Sequence, residues 1–266
     1  MNIGKHLKRG LLVLSAALAL QFYTKQEKYA LVINGDDSIK YSINISQAYE
    51  AFFKNGFDKV YILDSKYENN FDKLLNANFE DFLVTNYPIY GTAKRKTLEE
   101  VINKLKNEVD KDALFFLYVT DHGNRIDEEI AGERIELSTI TLYGEEDTTE
   151  EELFEILKPI KPKIGVYLFD QCYSGGFAVQ FGHGNVIAIA SAVAEKSSYS
   201  FDRNSVGYFF MKALAGDMVA DSDENGRISI KEAFDYMMRR HTYSIDGDQK
   251  PFINSELDPS KVYIDE

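Results

Sequence analysis

The sequence contains a single cysteine, Cys172, among its 266 residues, so no disulfide bond can form within the chain. It also has only five prolines, and it contains no internal repeat or low-complexity tract. These features exclude a disulfide-stabilised scaffold and a fibrous or disordered chain. The remaining composition, 44% hydrophobic and 13% aromatic residues, is typical of a folded protein with one large domain or two small ones.

Positive charge is scarce as well. The chain has 30 Lys and Arg against 43 Asp and Glu, a formal net charge of −13. Because phosphate binding needs clustered Lys and Arg, this balance argues against a nucleic-acid partner. Much of the negative charge lies between Asp127 and Glu152. We interpret that stretch as a solvated loop, with a calcium-attracting or cleavable loop as the alternatives.

The first 27 residues differ from the rest of the chain. Four basic residues precede an apolar run from Leu11 to Leu20, which is shorter than the roughly 20 residues that a membrane-spanning helix needs. Ala17-Leu18-Ala19 resembles a small-residue cleavage site. Residues 1–27 are therefore predicted to be a signal peptide or N-terminal leader of a secreted or extracytoplasmic protein. The alternatives are an uncleaved anchor, in which case the protein contacts a membrane, and an amphipathic or core helix.

Residues 28–266 alternate between apolar runs and helical patterns, and we assign them to one domain. Strands are predicted at Tyr29–Ile33, Val60–Leu63, Ala113–Val119, Ile164–Phe169 and Val186–Ala190. Helices are predicted from Ser46 to Asn55 and from a capping box at Thr97 and Glu100 to about Asp110. Further helices are predicted to begin at Thr149 and to span Gly207–Leu214 and Lys231–Arg239. A hairpin is predicted over Glu129–Tyr143. Strands that alternate with helices predict an α/β fold with a mostly parallel sheet covered on both faces.

Two reactive residues follow predicted strands directly. His122 comes after Ala113–Val119, and Cys172 comes after Ile164–Phe169. Ligands bind at the carboxyl ends of parallel strands, and neighbouring strands lie about 5 Å apart, so adjacent strands would bring imidazole and thiol together. An imidazole can activate a thiol or protonate a leaving amine. The amides of Gly123 and Cys172 could then form an oxyanion hole.

Each of these residues also has a simpler interpretation. A lone cysteine can be a buried packing residue, and a lone histidine can be a hydrogen-bonded surface group. The context favours chemistry at His122, because His6 lies in the leader and neither His183 nor His241 follows a predicted strand.

These motifs resemble the caspase-like cysteine peptidases, and within them the legumain group, which includes asparaginyl endopeptidases and the glycosylphosphatidylinositol transamidase subunit. The matching segments are Asp121-His122-Gly123, Asp170-Gln171-Cys172-Tyr173-Ser174-Gly175 and Glu195-Lys196-Ser197-Ser198-Tyr199-Ser200. The resemblance extends roughly from Tyr29 to Tyr236. It implies a three-layer sandwich with a six-stranded sheet between helices, a dyad of His122 and Cys172, an acyl-enzyme, and often activation by proteolysis.

The resemblance also implies a pocket for the residue before the cut. Asp170 matches an acidic pocket residue of the family, and Ser197 and Ser198 match pocket positions of legumain. The arginine that legumain has after its first strand is missing here, where Lys40 or Tyr41 stands near its place. Acidic Asp36 and Asp37 in that loop instead suit an Arg or Lys side chain.

We therefore expect an endopeptidase that acts on a protein or peptide substrate. It should cut after Arg or Lys first and after Asn second, with no organic cofactor. A transpeptidase or transamidase with the same acyl-enzyme remains an alternative. So does a catalytically silent, calcium-binding interaction module on the same fold.

A second motif lies at residues 221–232. Asp221-Ser-Asp223-Glu-Asn225-Gly226-Arg227-Ile-Ser229-Ile-Lys-Glu232 fits the twelve-residue EF-hand loop position by position. The ligands would be side-chain oxygens, with the backbone of Arg227 at position 7. We expect a structural or regulatory Ca²⁺ here; a turn between two helices without a metal is the alternative.

Overall fold

The computed structural model describes residues 25–65, 87–130, 133–144, 147–201, 203–247 and 249–265. The predicted leader therefore lies almost wholly outside the described residues, and secretion stays a prediction from the sequence. Within these ranges, no helix is both long enough and apolar enough to cross a membrane.

Strands and helices alternate along the chain, except that four strands follow one another over residues 114–149 and three helices over residues 206–245. The strands are β1 (Lys28–Asn34), β2 (Lys59–Asp64), β3 (Leu114–Val119), β4 (Gly123–Ile130), β5 (Glu133–Thr141), β6 (Asp147–Thr149), β7 (Ile164–Phe169), β8 (Val186–Ala190) and β9 (Phe252–Ser255). The helices are α1 (Ile39–Lys54), α2 (Arg95–Glu108), α3 (Glu150–Leu157), α4 (Gly175–Phe181), α5 (Val206–Leu214), α6 (Ile230–Arg240) and α7 (Thr242–Ile245), and a 3₁₀ helix spans Pro259–Lys261.

The main sheet has six strands in the order β2-β1-β3-β7-β8-β9. Its pairs are parallel except for β8 and β9, which run antiparallel. β3 and β7 are neighbours and end together, with Val119 opposite Phe169. A smaller antiparallel sheet, β4-β5-β6, starts at Gly123. The chain therefore passes from the end of β3 through His122 directly into the second sheet.

The main sheet has a hydrophobic core on each face. One core combines strand residues with α1, α5 and α6, represented by Phe52, Phe210 and Tyr236. The other combines them with α2, α3 and α4, represented by Leu98, Leu153 and Phe177. Strands covered on both faces need near-continuous apolar sequences, which is why five of them are visible as apolar runs. The predicted three-layer, caspase-like sandwich with a six-stranded, mostly parallel sheet is confirmed.

Several predicted boundaries were wrong. α1 begins at Ile39 rather than near Ser46, and Phe53, expected to face inward, is 75% exposed. α2 begins after Lys94, which makes no side-chain cap, so the Thr97 capping box does not start this helix. The hairpin starts at Gly123, six residues earlier than expected. In contrast, Thr149 and Glu152 form a complete capping box at the start of α3.

Candidate active site

His122 lies between the end of β3 and the start of β4, at the carboxyl edge of the main sheet. Its imidazole is exposed, its Nε2 is 3.7 Å from Asp36 Oδ2, and its ring packs edge-on against Tyr41 at 5.5 Å. Tyr41 is buried, and burial raises the pKa of its phenol, as do the charges of Asp121 and Asp36. The imidazole therefore packs against a neutral aromatic ring and is otherwise exposed to solvent.

Asp121 fixes the backbone under this histidine. Its buried carboxylate accepts hydrogen bonds from the amides of Gly35 (2.5 Å) and His122 (2.6 Å), so it ties the loop after β1 to the loop after β3. Burial raises the pKa of Asp121 well above its usual range, although both amide bonds favour the charged form. Sequence reasoning quoted Asp121 in a motif and gave it no role; its position directly before His122 was the available signal.

Cys172 lies on the loop after β7 and is half-buried. Its Sγ lies 3.4 Å from the Ser198 carbonyl oxygen and 3.3 Å from the Ser198 amide nitrogen, which donates to it. Among the described residues, no hydrogen bond joins this thiol to the His122 imidazole. The backbone just after Cys172 is unusual, since Tyr173 has φ of +57°. That left-handed turn allows α4 to begin at Gly175, three residues after the thiol.

Gly123 connects the histidine loop to the cysteine loop. A Cβ at this position would overlap the carbonyl oxygen of Cys172 and meet Gln171 Cγ at 2.8 Å. The two predicted catalytic loops therefore touch through their backbones, and only glycine fits at the contact. The structure brings the three predicted catalytic residues His122, Gly123 and Cys172 to one edge of the sheet.

Asp170 is buried two residues before the thiol, where the predicted pocket acid was expected. Its Oδ2 accepts from the Gly207 amide at 2.9 Å and the Tyr118 hydroxyl at 3.4 Å, while its Oδ1 has no partner among the described residues. Burial raises the pKa of Asp170 to about 7, against the lowering effect of those donors. Gly207 lies in the first turn of α5, so the positive end of that helix faces the carboxyl group.

The predicted pocket serines lie on the segment that follows β8. Ser197 is exposed, and Ser198 is half-buried against the thiol. Gln249 holds this segment: its side chain is buried, donates to Ser198 Oγ (2.9 Å) and to the Ser191 carbonyl (2.7 Å), and accepts from the Tyr199 amide (2.7 Å). Sequence reasoning missed Gln249, which is distant in the chain and belongs to no motif.

The loop after β1 carries the other predicted acidic residues. Asp36 is half-buried and is the one that approaches His122, while Asp37, which we predicted to bind substrate, is exposed. Lys40 packs over the Tyr41 ring at 4.6 Å, and its charge lowers the pKa of Asp170. The loop after β1 and the start of α1 therefore bring both negative and positive charge to the site.

The predicted calcium loop lies apart from this site, between α5 and α6. Carboxylate oxygens of Asp221, Asp223 and Glu232 converge to within 4.8 Å of one another. Gly226 at position 6 has φ of +83°, which its place in the loop requires. The donor set of hard oxygen ligands fits Ca²⁺.

In this structure Glu232 is engaged by the protein itself. Its Oε1 accepts from the Ser222 amide (2.8 Å), and its Oε2 accepts from the amide and hydroxyl of Ser229 (both 2.9 Å). Burial raises the pKa of Glu232, but these hydrogen bonds outweigh it and lower the pKa to about 2. Ser229 also caps α6. Bidentate binding of a cation by Glu232 would have to replace some of these hydrogen bonds.

The C-terminal segment packs against the calcium loop. Ser229 forms an isolated antiparallel bridge with Tyr263, and the Ile230 amide donates to the Val262 carbonyl at 2.9 Å. Arg227 lies over the Tyr263 ring at 4.0 Å and pairs with Asp265. Asn225 Nδ2 donates to the Tyr263 hydroxyl at 3.3 Å, so the predicted ligand residues Asn225 and Arg227 both contact the C-terminal segment.

Comparisons with known proteins agree with this architecture. The family model of the Peptidase C13 family matches residues 92–250, more than half of the chain. The crystal structure of protein GSU0716 from Geobacter sulfurreducens is similar, with a TM-score of 0.56 and 12% identity, over 89% of this chain and 97% of that one. At that identity the similarity concerns the fold alone. No curated protein matches the sequence. The matched segment contains His122, Cys172 and Asp170, and the chain belongs to the Peptidase C13 family.

Proposed function

We propose that this protein is a cysteine endopeptidase in which Cys172 is the nucleophile and His122 protonates the leaving amine. The observation that carries the proposal is the position of the two side chains: they follow neighbouring parallel strands that end together, on loops that touch at Gly123. Membership of a peptidase family supports peptide-bond chemistry on protein or peptide substrates.

In this mechanism the Cys172 thiol loses its proton to solvent, and the thiolate sulfur attacks the carbonyl carbon of the scissile bond to give a tetrahedral intermediate. The carbon–nitrogen bond then breaks, the amine takes a proton from the protonated His122 imidazole, and the acyl group remains on sulfur as a thioester. Water attacks the thioester and gives a proton to the neutral imidazole, the carbon–sulfur bond breaks, and the carboxylic acid leaves. The sulfur regains a proton from solvent, which restores the thiol. The imidazole is exposed and makes no hydrogen bond to the thiol among the described residues, which supports a main role as proton donor.

The negative charge of the tetrahedral intermediate needs donors close to Cys172. The amide of Cys172 donates to no protein acceptor in the described part of the chain, so it can bind an oxyanion together with the Gly123 amide. Each such donor contributes about 3 to 4 kcal/mol to transition-state stabilisation in enzymes where it was measured.

The residue before the cut is proposed to be Arg or Lys, with Asn second. Asp170 lies buried beneath the thiol loop, and Asp36 and Asp37 add negative charge at the loop after β1. Ser197 and Ser198 would line the same pocket. A basic side chain would find charge-assisted hydrogen bonds there, whereas Asn would use the hydroxyls and a protonated Asp170.

A panel of fluorogenic peptides with Arg, Lys, Asn, Asp or Ala before the cut tests this function. We expect cleavage of the Arg and Lys peptides, and no cleavage by Cys172→Ala. His122→Ala should lower kcat by about 100-fold or more, while His183→Ala, which changes a similarly exposed histidine elsewhere, should have no effect. If no peptide is cleaved, or if His183→Ala and His122→Ala behave alike, the assignment is wrong. Product analysis with an added amine separates hydrolysis from transpeptidation.

We also propose that the loop at 221–232 holds Ca²⁺ through Asp221, Asp223, Asn225, Ser229 and Glu232 with the backbone carbonyl of Arg227. A bound Ca²⁺ would supply the charge that holds these oxygens together. The loop follows the last turn of α5, and the first turn of α5, at the other end of the helix, contacts Asp170. A bound Ca²⁺ would act on the substrate pocket through this helix, by making the helices behind the pocket more rigid.

A further inference from the structure

A cavity of about 530 Å³ lies at the amino-terminal edge of the main sheet. It is lined by α3 and α4 and by residues that lead into β7 and β8, among them Pro162 and Asn185. His122 and Cys172 follow the carboxyl ends of the parallel strands β3 and β7, so the cavity and the candidate active site lie at opposite edges of the sheet. The cavity volume is within the range of about 300 to 1,000 Å³ that small-molecule sites have in proteins.

The interior of this cavity is mostly apolar. Phe154 and Leu157 of α3 and Phe181 of α4 form much of its wall, and Tyr167 lines it from β7. The ring of Phe181 packs against the ring of Phe154 and against that of Tyr167, in each case with centroids 5.5 Å apart. Such a wall suits an apolar ligand, and three rings favour an aromatic one, because rings pair with rings in offset or edge-on geometry.

Tyr167 brings a hydroxyl group without a hydrogen-bond partner to this cavity. The residue is only 4% exposed, and its hydroxyl makes no hydrogen bond with the described residues. A Cβ at Gly165, two residues nearer the start of β7, would meet Tyr167 Cε1 at 3.1 Å and Cζ at 3.5 Å, so the hydroxyl end of the ring points to the amino-terminal edge. Burial alone raises the pKa of this phenol, which therefore stays protonated and can donate. A buried donor without a partner is unfavourable, so an acceptor on a ligand would be bound there.

The rim of the cavity carries positive charge, although the chain has a net charge of −13. Lys158, Lys161 and His183 line it, and within the described ranges no acidic side chain does so. Lys158 pairs with Glu155 at 2.9 Å, and His183 Nδ1 lies 3.7 Å from Glu256 Oε1. The ammonium group of Lys161 is exposed and makes no ion pair with any described residue. Lys161 is therefore available to bind a negatively charged group.

We propose that this cavity is a binding site for a small aromatic carboxylic acid. The ring of the ligand would pack against Phe154 and Phe181, and its carboxylate oxygens would accept from the Tyr167 hydroxyl and pair with Lys161. A carboxylate can serve both donors because it has two oxygens and about four lone-pair sites. The inference does not depend on the proposed function, since the cavity lies at the opposite edge of the sheet from Cys172.

Isothermal titration calorimetry with naphthylacetate, its neutral analogue naphthylacetamide and the ring-free octanoate tests the site. We expect the full-length protein to bind naphthylacetate about 3- to 5-fold more tightly than the amide and about 3- to 10-fold more tightly than octanoate. Lys161→Gln should abolish the difference between acid and amide, and Tyr167→Phe should weaken naphthylacetate binding by about 3- to 10-fold. Lys163→Gln is the matched control, because Lys163 is equally exposed and does not line the cavity.

Several results would overturn the proposal. Equal Kd values for naphthylacetate and naphthylacetamide would do so, as would tighter binding of octanoate or a Kd above about 1 mM for every compound. Because Lys161 is exposed, its replacement leaves the core intact, and the test stays decisive if Tyr167→Phe fails to fold. A peptide substrate bound to Cys172→Ala should leave the Kd of naphthylacetate unchanged. Competition between the two would place naphthylacetate at the active site and refute the separate site.

Discussion

Asp170 is a residue whose charge depends on opposing effects. Complete burial favours the neutral acid, while the Gly207 amide, the Tyr118 hydroxyl and the first turn of α5 favour the carboxylate. The resulting pKa of about 7 means that both forms exist near neutral pH. The charge of the proposed pocket therefore changes within the working range of most peptidases.

Selectivity for Arg over Asn before the cut should rise with pH. Below pH 7 the carboxyl group of Asp170 is mostly protonated and offers an Arg side chain no charge; above pH 7 it is ionised. We expect the ratio of kcat/KM for Arg and Asn peptides to increase on the order of tenfold between pH 6 and pH 8, which corresponds to about 1.4 kcal/mol. Asp170→Asn should show a flat ratio. A wild-type ratio that stays flat or falls would show that Asp170 does not contact the substrate.

The sequence was sufficient to place some site residues and not others. His122, Gly123 and Cys172 follow apolar strands, so the rule that parallel strands carry ligands at their carboxyl ends placed them. The position of Asp121 directly before His122 was a signal, but its hydrogen bond to the distant Gly35 amide was not predictable. Tyr41 and Gln249 act through burial and through contacts with chain-distant residues, which no motif spacing predicts. Gln249, for example, bonds to Ser191, 58 positions earlier.

At the scale of elements, the sequence predicted the strands more accurately than it predicted where the helices begin. Buried parallel strands need apolar residues on both faces and were predicted within a few residues. The first residues of α1 and α2 have no side-chain cap, so the usual polar signal is missing. β9 is a four-residue, half-buried strand at the sheet edge, and its short sequence carries no distinctive pattern.

The calcium loop joins two elements and the chain end. Glu232 connects the loop to α6 by the capping box with Ser229, and Tyr263 and Asp265 hold the loop from the other side. The loop is therefore ordered by protein contacts, and a cation would add to this order rather than create it. We expect calcium to stabilise the fold by a limited amount.

Asp221→Ala should abolish this stabilisation. At a calcium concentration 100 times Kd, binding contributes about 2.7 kcal/mol, which raises Tm by roughly 5 to 10 °C for a chain of this size. Differential scanning calorimetry with calcium and with chelator measures the difference in both proteins. Asp235→Ala, which removes an exposed carboxylate on α6 paired with Lys231, is the matched control. If Asp221→Ala retains the wild-type response of Tm and activity to calcium, the loop is not the regulator.

At the scale of the whole molecule, stability should depend on His241. This histidine is fully buried where α6 ends, its Nδ1 lies 2.8 Å from Ser244 Oγ, and its Nε2 has no partner among the described residues. Burial lowers its pKa from 6.5 to about 4. Between these values the unfolded chain binds a proton that the folded protein does not, so the free energy of unfolding falls as pH falls from 6.5 to 4.

His241→Gln should remove this contribution. Urea unfolding at several pH values should show the wild type losing about 3 kcal/mol relative to the variant between pH 6.5 and pH 4, since one pKa unit corresponds to about 1.4 kcal/mol. Asp170 and Glu150, whose pKa values burial raises to about 7, oppose this trend equally in both proteins and cancel in the difference. Parallel pH curves for the two proteins would contradict this account, because they would show that the pKa of His241 is the same in the folded and unfolded states.

Intact-mass spectrometry after incubation with a peptidyl acyloxymethylketone bearing Arg or Asn, with and without calcium, tests the central claim most directly. Cys172 is the only cysteine, so no other thiol can take up the reagent. We predict one adduct on the wild type and none on Cys172→Ala, with the Arg reagent reacting faster than the Asn reagent. An adduct on both proteins, or no adduct under any condition including after limited proteolysis, would contradict the assignment of Cys172 as an activated nucleophile.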